Sequence, residues 1–530
     1  MTHRRSRSHP RFLFPCAMTD ILQNPARPPR SVVTLPLPLP PPSVERQMPA
    51  PCPIILLPPE VLGEIFMLCL PTTHNAVLSG DAAPLLLGRV CGTWRATAWA
   101  LPALWTSLHV AVEHVRTRRG ADTAVEDWLR RARQLPLALS VVYDADARAG
   151  QQSREINKSF IAWLLRLCAG GLAMLQIVEP KTGAPLLANT PGLELIGNLR
   201  VLRLKSGTIR WPPLAHYTDL WGLPHVTALA LDLQRESSRG ERDFGPQLLN
   251  LPLRWGQLTC LALRDEVQLS VIAALLRRMP QLRRLVFHRD FFEAAGAVPW
   301  PDERLTHTAL EALIVLGWKR TSGRDVADFF NDAVSLPNLR RLRLSATQTD
   351  DIMLPAGIGA LFPRLARLSL AADSFSPDAL RAALADADLR TLVALVIRYD
   401  LGPWRWTMPR LLALLAVPGR MPLLADLWLD ATSLPGDVAP LLARILSARA
   451  GVLRAIHVRQ TVGMLTEEWD LWAAAGPGLS PGVELHEVWT EDEPLLFGPL
   501  GQYRSGSPEE EPDASPWDGL KEVGMEWMHV

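Results

Sequence analysis

One six-residue pattern recurs down most of this chain and limits what the chain can fold into. The pattern is L-x-x-L-x-L, with aliphatic or aromatic residues standing in for leucine. It starts at Leu172, Leu199, Val226, Leu258, Leu282, Leu310, Leu339, Leu365, Leu392, Leu424 and Leu453, with 24–32 residues between successive starts. Inside each unit the apolar positions alternate with others, which is the period of a strand with one buried face. A single strand and its return segment cannot cover that face. Stacked units can, because each hides its neighbour's apolar side.

The unit and its period are the signature of leucine-rich repeats. A leucine-rich α/β domain without repeats is the competing explanation, and eleven matches at near-constant spacing disfavour it. Return helices are expected at 269–279, 325–334, 377–386 and 438–447, with Ser376 as an N-cap and Pro377 at the first helical position. The asparagine that follows the strand in many repeat families is mostly missing here. Alternate residues of each strand should face the concave side. Four of them, Arg341, Arg343, Arg367 and Arg398, would form a basic patch. Trp428, flanked by Asp426 and Asp430, would be an exposed aromatic anchor. These five are the candidate substrate-binding residues. A merely solvated face is the plainer reading of the arginines, and a covering segment the plainer reading of Trp428.

Upstream, residues 56–110 read as three short helices. Pro58 and Pro59 suit a first turn, Glu60 suits the helix dipole, and Val61, Leu62, Ile65, Phe66 and Cys69 make a broad apolar face. Pro71 stops that helix. Apolar segments at 85–91 and 94–100 follow, the latter ending at Pro102. So small a stretch cannot bury such a face alone, so a neighbouring domain or a partner must cover it.

The residues Leu57-Pro58-x-Glu60-x-Leu62-x-x-Ile65-Phe66, Val90-Cys91-x-x-Trp94 and Pro102-x-Leu104-Trp105 resemble an F-box. A helix at 125–133 and a strand at 135–143 extend the resemblance, to about residue 145, toward F-box proteins abundant in mushroom-forming fungi. The resemblance implies docking on the Skp adaptor of cullin–RING ubiquitin ligases, through Leu57, Pro58, Leu62, Ile65, Phe66, Val90, Cys91, Trp94, Leu104 and Trp105. The alternative is a helical cap on the repeats, in an interaction scaffold without any ligase.

Composition excludes little. Net charge is +1, so bulk charge argues neither for nor against a nucleic-acid partner. No apolar run is long enough to suggest a membrane span. Six cysteines are scattered without metal spacing, which points to free thiols and no metal or other cofactor. Only five residues are lysine. A GC-rich genome explains that, as would selection against acceptor sites for the protein's own ubiquitination. Residues 1–50 are basic and proline-rich, and 503–530 are acidic; both read as disordered. Trp517 and Trp527 suggest that the acidic tail folds back, with the basic patch as a landing site.

No catalytic set emerges. Asp243-Phe244-Gly245 and His288-Arg289-Asp290 resemble kinase elements, but in the wrong order and without their companions. The expectation is therefore an α/β protein with no enzymatic activity: an N-terminal three-helix F-box (54–110), a linking helix–strand region and cap (111–171), a leucine-rich-repeat solenoid (172–490) and disordered termini. It would be the substrate-recognition adaptor of a Skp–cullin–F-box ligase, in the cytoplasm or nucleus, with a protein substrate and no nucleic acid or membrane as partner.

Overall fold

A computed structural model describes residues 54, 57–71, 75–143, 151–179, 187, 190–206, 218–232, 244–289, 303–318, 329–346, 358–371, 384, 389–399, 408–417, 419–431, 438–449, 451–460 and 484–488. The chain divides into two compact units, 1–56 and 57–530. Of the first unit, only Ile54 is described. The expected disorder at 1–50 and 503–530, the expected helix at 377–386 and the Ser376–Pro377 cap lie outside the described residues, apart from Leu384.

The second unit begins with helices α1 (Pro59–Leu68), α2 (Leu87–Val90) and α3 (Gly92–Ala100) and a 3-10 turn, Pro102–Trp105. In α1 the Leu62 amide donates to the Pro58 carbonyl at 3.0 Å, closing the first turn. Pro59 needs no donor there. Strand β1 (Ser107–Ala111), helices α4 (Val112–Thr117) and α5 (Ala121–Ala132), β2 (Leu137–Val142), α6 (Gln151–Leu167) and β3 (Leu172–Glu179) follow. The sheet then grows through β4 (Val201–Ser206), β5 (Ala228–Asp232), β6 (Cys260–Val267), β7 (Arg284–Arg289), β9 (Ala312–Trp318) and β11 (Arg341–Ala346). It ends with β12 (Arg367–Ala371), β13 (Ala394–Tyr399), β14 (Asp426–Ala431), β15 (Ala455–Gln460) and β16 (Glu484–Val488). A separate two-stranded ribbon pairs β8 (Leu305–Thr306) with β10 (Val334–Ser335).

All fourteen strands of the main sheet lie in chain order, each parallel to the next. One row of residues shows why. Leu108 stands beside Leu139, then Leu175, Leu202, Leu229, Leu261, Leu285, Leu313, Leu342, Leu368, Leu395, Leu427, Ile456 and Leu485. From Leu108 to Ile456 every member of this ladder is buried. It is the fourth position of L-x-x-L-x-L, so the repeat sets the register. Each leucine contributes about 1.5–3 kcal/mol relative to exposure. A slip of one residue would turn the row out of the core.

Two expectations need correction. The repeat sheet does not begin with the recognised unit at 172: it takes in the expected strand at 135–143 as β2 and starts at Ser107. Trp105, Leu108 and Val110 form a disguised repeat unit, with tryptophan in the first leucine place, and all three are buried in the core. Its end, β16, lies beyond the last recognised unit and within the expected limit of 490. The return segments are also less regular than expected. Leu269–Arg278 and Val438–Ala448 are α-helices, but of the expected helix at 325–334 only a π-turn, Phe329–Ala333, is described, leading into β10.

The three helices and the sheet share one core. Leu62, Phe66, Leu104 and Trp105 belong to the same hydrophobic cluster as the leucine ladder. Helix α5 locks them together. The Trp128 indole N–H donates to the Trp105 carbonyl at 3.1 Å, and the Trp105 indole N–H to the Ala98 carbonyl at 2.9 Å. The two indoles meet edge to face, 4.9 Å between centroids, and the Arg131 guanidinium lies over both Trp105 and Trp99. The free edge of β1 is covered too: the His109 amide donates to the Ala76 carbonyl at 2.7 Å, and Val77 bridges to His109.

Candidate interaction surfaces

The first surface is on the three-helix module. Helix α1 carries more apolar residues than its core contact uses. Leu62 and Phe66, four apart, point into the core. Val61, Ile65 and Leu68 form a second stripe on another face; Leu68 is 85% exposed and Ile65 half-buried. Met67, Leu86, Val90 and Trp99 are exposed as well, Val90 by 56%. Of the fourteen large apolar side chains exposed among the described residues, six lie between 61 and 99. That concentration separates the module from the rest of the described surface, where such residues are thinly spread.

The ten predicted adaptor-binding residues divide into two groups. Leu62, Phe66, Leu104 and Trp105 are core. They hold the module in shape and present nothing to a partner. Pro58 and Val90 are exposed, and Leu57, Ile65, Cys91 and Trp94 are half-buried. Trp94 packs its ring on Phe66, 4.9 Å between centroids. Cys91 caps α3, its sulfur accepting the Trp94 amide at 3.5 Å. Val61, Leu68, Leu86 and Trp99 were not singled out as contacts by the motif. Their signal was in the sequence nonetheless, as apolar residues in excess of one helix face.

The second surface is the sheet face opposite the ladder. Its central row runs His109, Ser140, Gln176, Arg203, Ala230, Ala262, Val286, Ile314, Arg343, Ser369, Val396 and Trp428. This row is largely buried, and Arg343 retains only 2% of its exposure. The expected patch of four arginines is therefore divided by burial. Arg341 and Arg367 are direct register partners and half-buried, Arg343 is interior, and the Arg398 side chain lies outside the described residues. Trp428 is half-buried rather than openly displayed.

The positive charge gathers at the strand starts instead. One row places Arg284, Ala312, Arg341 and Arg367 side by side. Just before these strands stand Arg283, Glu311 and Arg340, linked by amide-to-carbonyl bonds of 2.8 Å. Arg283 and Arg340 are exposed. Among the described residues, Arg283, Arg340, Arg341 and Arg367 have no carboxylate within ion-pair distance. Arg341 is pushed below its usual range, first by burial and then by Arg367 and Arg284, with Glu311 opposing. Arg284 is lowered by burial, with Cys260 and Glu311 opposing. The repeated sequence Leu-Arg-Arg-Leu, at 282–285 and 339–342, was the available signal for this cluster.

A buried polar trio has the residue types of a catalytic site but not the access. His109 Nδ1 and Ser140 Oγ lie 2.9 Å apart, and the Asn75 side-chain amide donates to the same hydroxyl at 3.1 Å. All three are buried, so no substrate reaches them, and the trio ties the 75–78 segment to the sheet. Among the described residues no group of three or more His, Cys, Asp or Glu is placed to hold a metal ion. No described helix is long and apolar enough to cross a membrane.

The sheet and its repeat define a fold class: an α/β protein of the leucine-rich-repeat type, its parallel sheet built one repeat at a time. Among solved structures, the chain is similar to the leucine-rich repeat-containing protein LegL7 from Legionella pneumophila, at 15% identity over 53% of this chain and 90% of that one, with a TM-score of 0.34. It is similar also to a protein from Bacteroides fragilis, at 12% identity over 54% and 74% of the two chains, with a TM-score of 0.30. No protein-family model and no curated protein matches the sequence.

Proposed function

We propose that this protein is the substrate-recognition subunit of a Skp–cullin–F-box type ubiquitin ligase. The N-terminal helices dock on the Skp adaptor, and the repeat sheet holds a protein substrate. The chain itself contributes no chemistry; it raises the local concentration of substrate near a ubiquitin-charged enzyme. The observation that carries this reading is the exposed apolar set Val61, Met67, Leu68, Leu86, Val90 and Trp99, on helices whose other side already has its core. A cap that served only the solenoid has no need of that second face. The F-box resemblance supplies the identity of the partner.

The competing reading is a leucine-rich-repeat scaffold without ligase association. What favours it is the fusion of module and sheet in one core, which gives the helices a structural role whether or not a partner binds.

The two readings separate in an affinity capture of the full chain from cells, with mass spectrometry of what is retained. A Skp-type adaptor and a cullin are expected in the eluate. The Leu57→Ala/Pro58→Ala variant, and separately Leu68→Asp/Val90→Asp, are expected to lose them while the far-ultraviolet circular dichroism stays unchanged. A folded wild-type bait that retains neither protein refutes the ligase reading.

A further inference from the structure

The arginine cluster on the strand starts of β7, β11 and β12 is independent of the adaptor reading and has its own chemistry. It combines half-buried guanidinium groups that share one row, exposed guanidinium groups beside them, and one central acid, Glu311. Such groups take carboxylates in charge-assisted, forked hydrogen bonds. Glu311, between Arg283 and Arg340, places a negative charge beside the row. A continuous polyphosphate backbone would have to pass over it, whereas discrete carboxylates on a peptide can straddle it.

The chain carries a segment that fits. Residues 507–530 hold seven acids, of which Glu509, Glu510 and Glu511 are consecutive, against a single lysine, Lys521. Distance allows the meeting. The sheet ends at Val488 in β16, four strands from β12 and seven from β7. At about 4.8 Å per strand these are about 19 and 34 Å. The 20 residues between Val488 and Glu509 can reach at most about 70 Å, more than either distance. The covalent link also makes the encounter intramolecular, so it needs no second molecule.

We propose that the acidic segment 507–530 docks on the Arg283–Arg340–Arg341–Arg367 surface, so that the sheet is occupied by its own chain until an acidic partner displaces it. Burial and mutual repulsion already bias Arg341 against its charge, and incoming carboxylates relieve that repulsion.

The rarity of lysine supplies the test. A lysine-specific protease can cut the segment only after Lys521, releasing residues 522–530. The rate of that release is measured on the full chain by mass spectrometry at low salt. It is expected to be at least tenfold slower than for a free peptide of residues 507–530, and to rise to the peptide's rate in 0.5 M NaCl. Arg341→Glu/Arg367→Glu should abolish the protection. Glu509→Arg/Glu510→Arg/Glu511→Arg should abolish it without touching the sheet, which covers the case in which the first variant misfolds. Combining the two sets should restore protection. Equal release from wild type, variants and free peptide overturns the proposal. If release is unprotected while the full chain binds the 507–530 peptide in trans, the surface serves a partner's acidic segment instead. If it binds a single-stranded RNA oligonucleotide and loses that binding in the arginine variant, the surface serves nucleic acid; either result overturns the tail as occupant.

Discussion

At the scale of single residues, the interior is specified by polar groups as well as by leucine. The Arg449 guanidinium is buried with no carboxylate partner among the described residues and donates to three carbonyls: Leu415 at 2.8 Å, Met421 at 2.8 Å and Arg420 at 2.6 Å. His307 likewise bridges the Leu310 amide, 3.2 Å from Nδ1, and the Met279 carbonyl, 2.9 Å from Nε2. Since Nδ1 accepts, Nε2 carries the proton. Neither residue stands out in the sequence, because spacing reports which side chain points inward and not which backbone carbonyl waits for it. Cys168, just beyond α6, makes a measurable case. Burial pushes its thiol up to about 12 from an ordinary 9. Below pH 9 both folded and unfolded thiols are protonated and this contribution to stability is complete. Above pH 9 the unfolded thiol ionises and the folded one does not, so stability is lost as pH rises toward 12. By pH 10.5 the loss is about 2 kcal/mol. Urea unfolding at pH 8 and pH 10.5 should show it in the wild type, and Cys168→Ala should lack that share of the decline. A variant with the same pH dependence as the wild type would mean that Cys168 is solvated.

At the scale of elements, α1 shows how far a pattern can be read. Its amphipathic period was plain, and so were its proline start and its end before Pro71. What the pattern could not divide was the apolar surface itself. Val61, Leu62, Ile65 and Phe66 look alike in sequence, yet Leu62 and Phe66 are core while Val61 is exposed and Ile65 half-buried. The dividing fact is where α3 and the 3-10 turn pack, with Trp94 against Phe66, and local spacing does not contain it. Substitutions on the two stripes should therefore behave differently. Leu62→Ala should cost about 2–5 kcal/mol, because it leaves a cavity in the shared core. Val61→Ser and Leu68→Ser should each stay within about 0.5 kcal/mol of wild type while weakening adaptor capture. Urea midpoints for the three variants provide the comparison. A large loss in Leu68→Ser would assign that stripe to the fold.

At the scale of the whole second unit, most of the architecture was legible in the repeat. Its fourth position became the in-register ladder, because a slip of one residue would turn every leucine of the row away from the core it shares with the helices. Two features escaped. The first strand was hidden because Trp105 and Leu104 also belong to the F-box-like motif, so one short stretch closes the helical module and opens the sheet. The burial of Arg343 was hidden because alternation assigns a side chain to a face without saying what else lies on that face. The consequence is that the helical module is a built-in end of the sheet, not an appendage on a linker. It supplies the Ala76 carbonyl to the His109 amide, the Val77 bridge to the edge of β1, and the Asn75 amide to Ser140. A chain beginning at Leu101 lacks all three and leaves the Trp105 indole N–H without the Ala98 carbonyl it donates to. In that chain the amides of β1 should lose hydrogen-exchange protection, those of β2 should follow, and melting should occur several degrees below that of a chain beginning at Leu57. Stacked repeats pass stability only to their neighbours, so protection from β6 onward should change little. If β1 and β2 stayed protected in the shorter chain, the sheet would need no cap, and the one role left to the helices would be the surface they present.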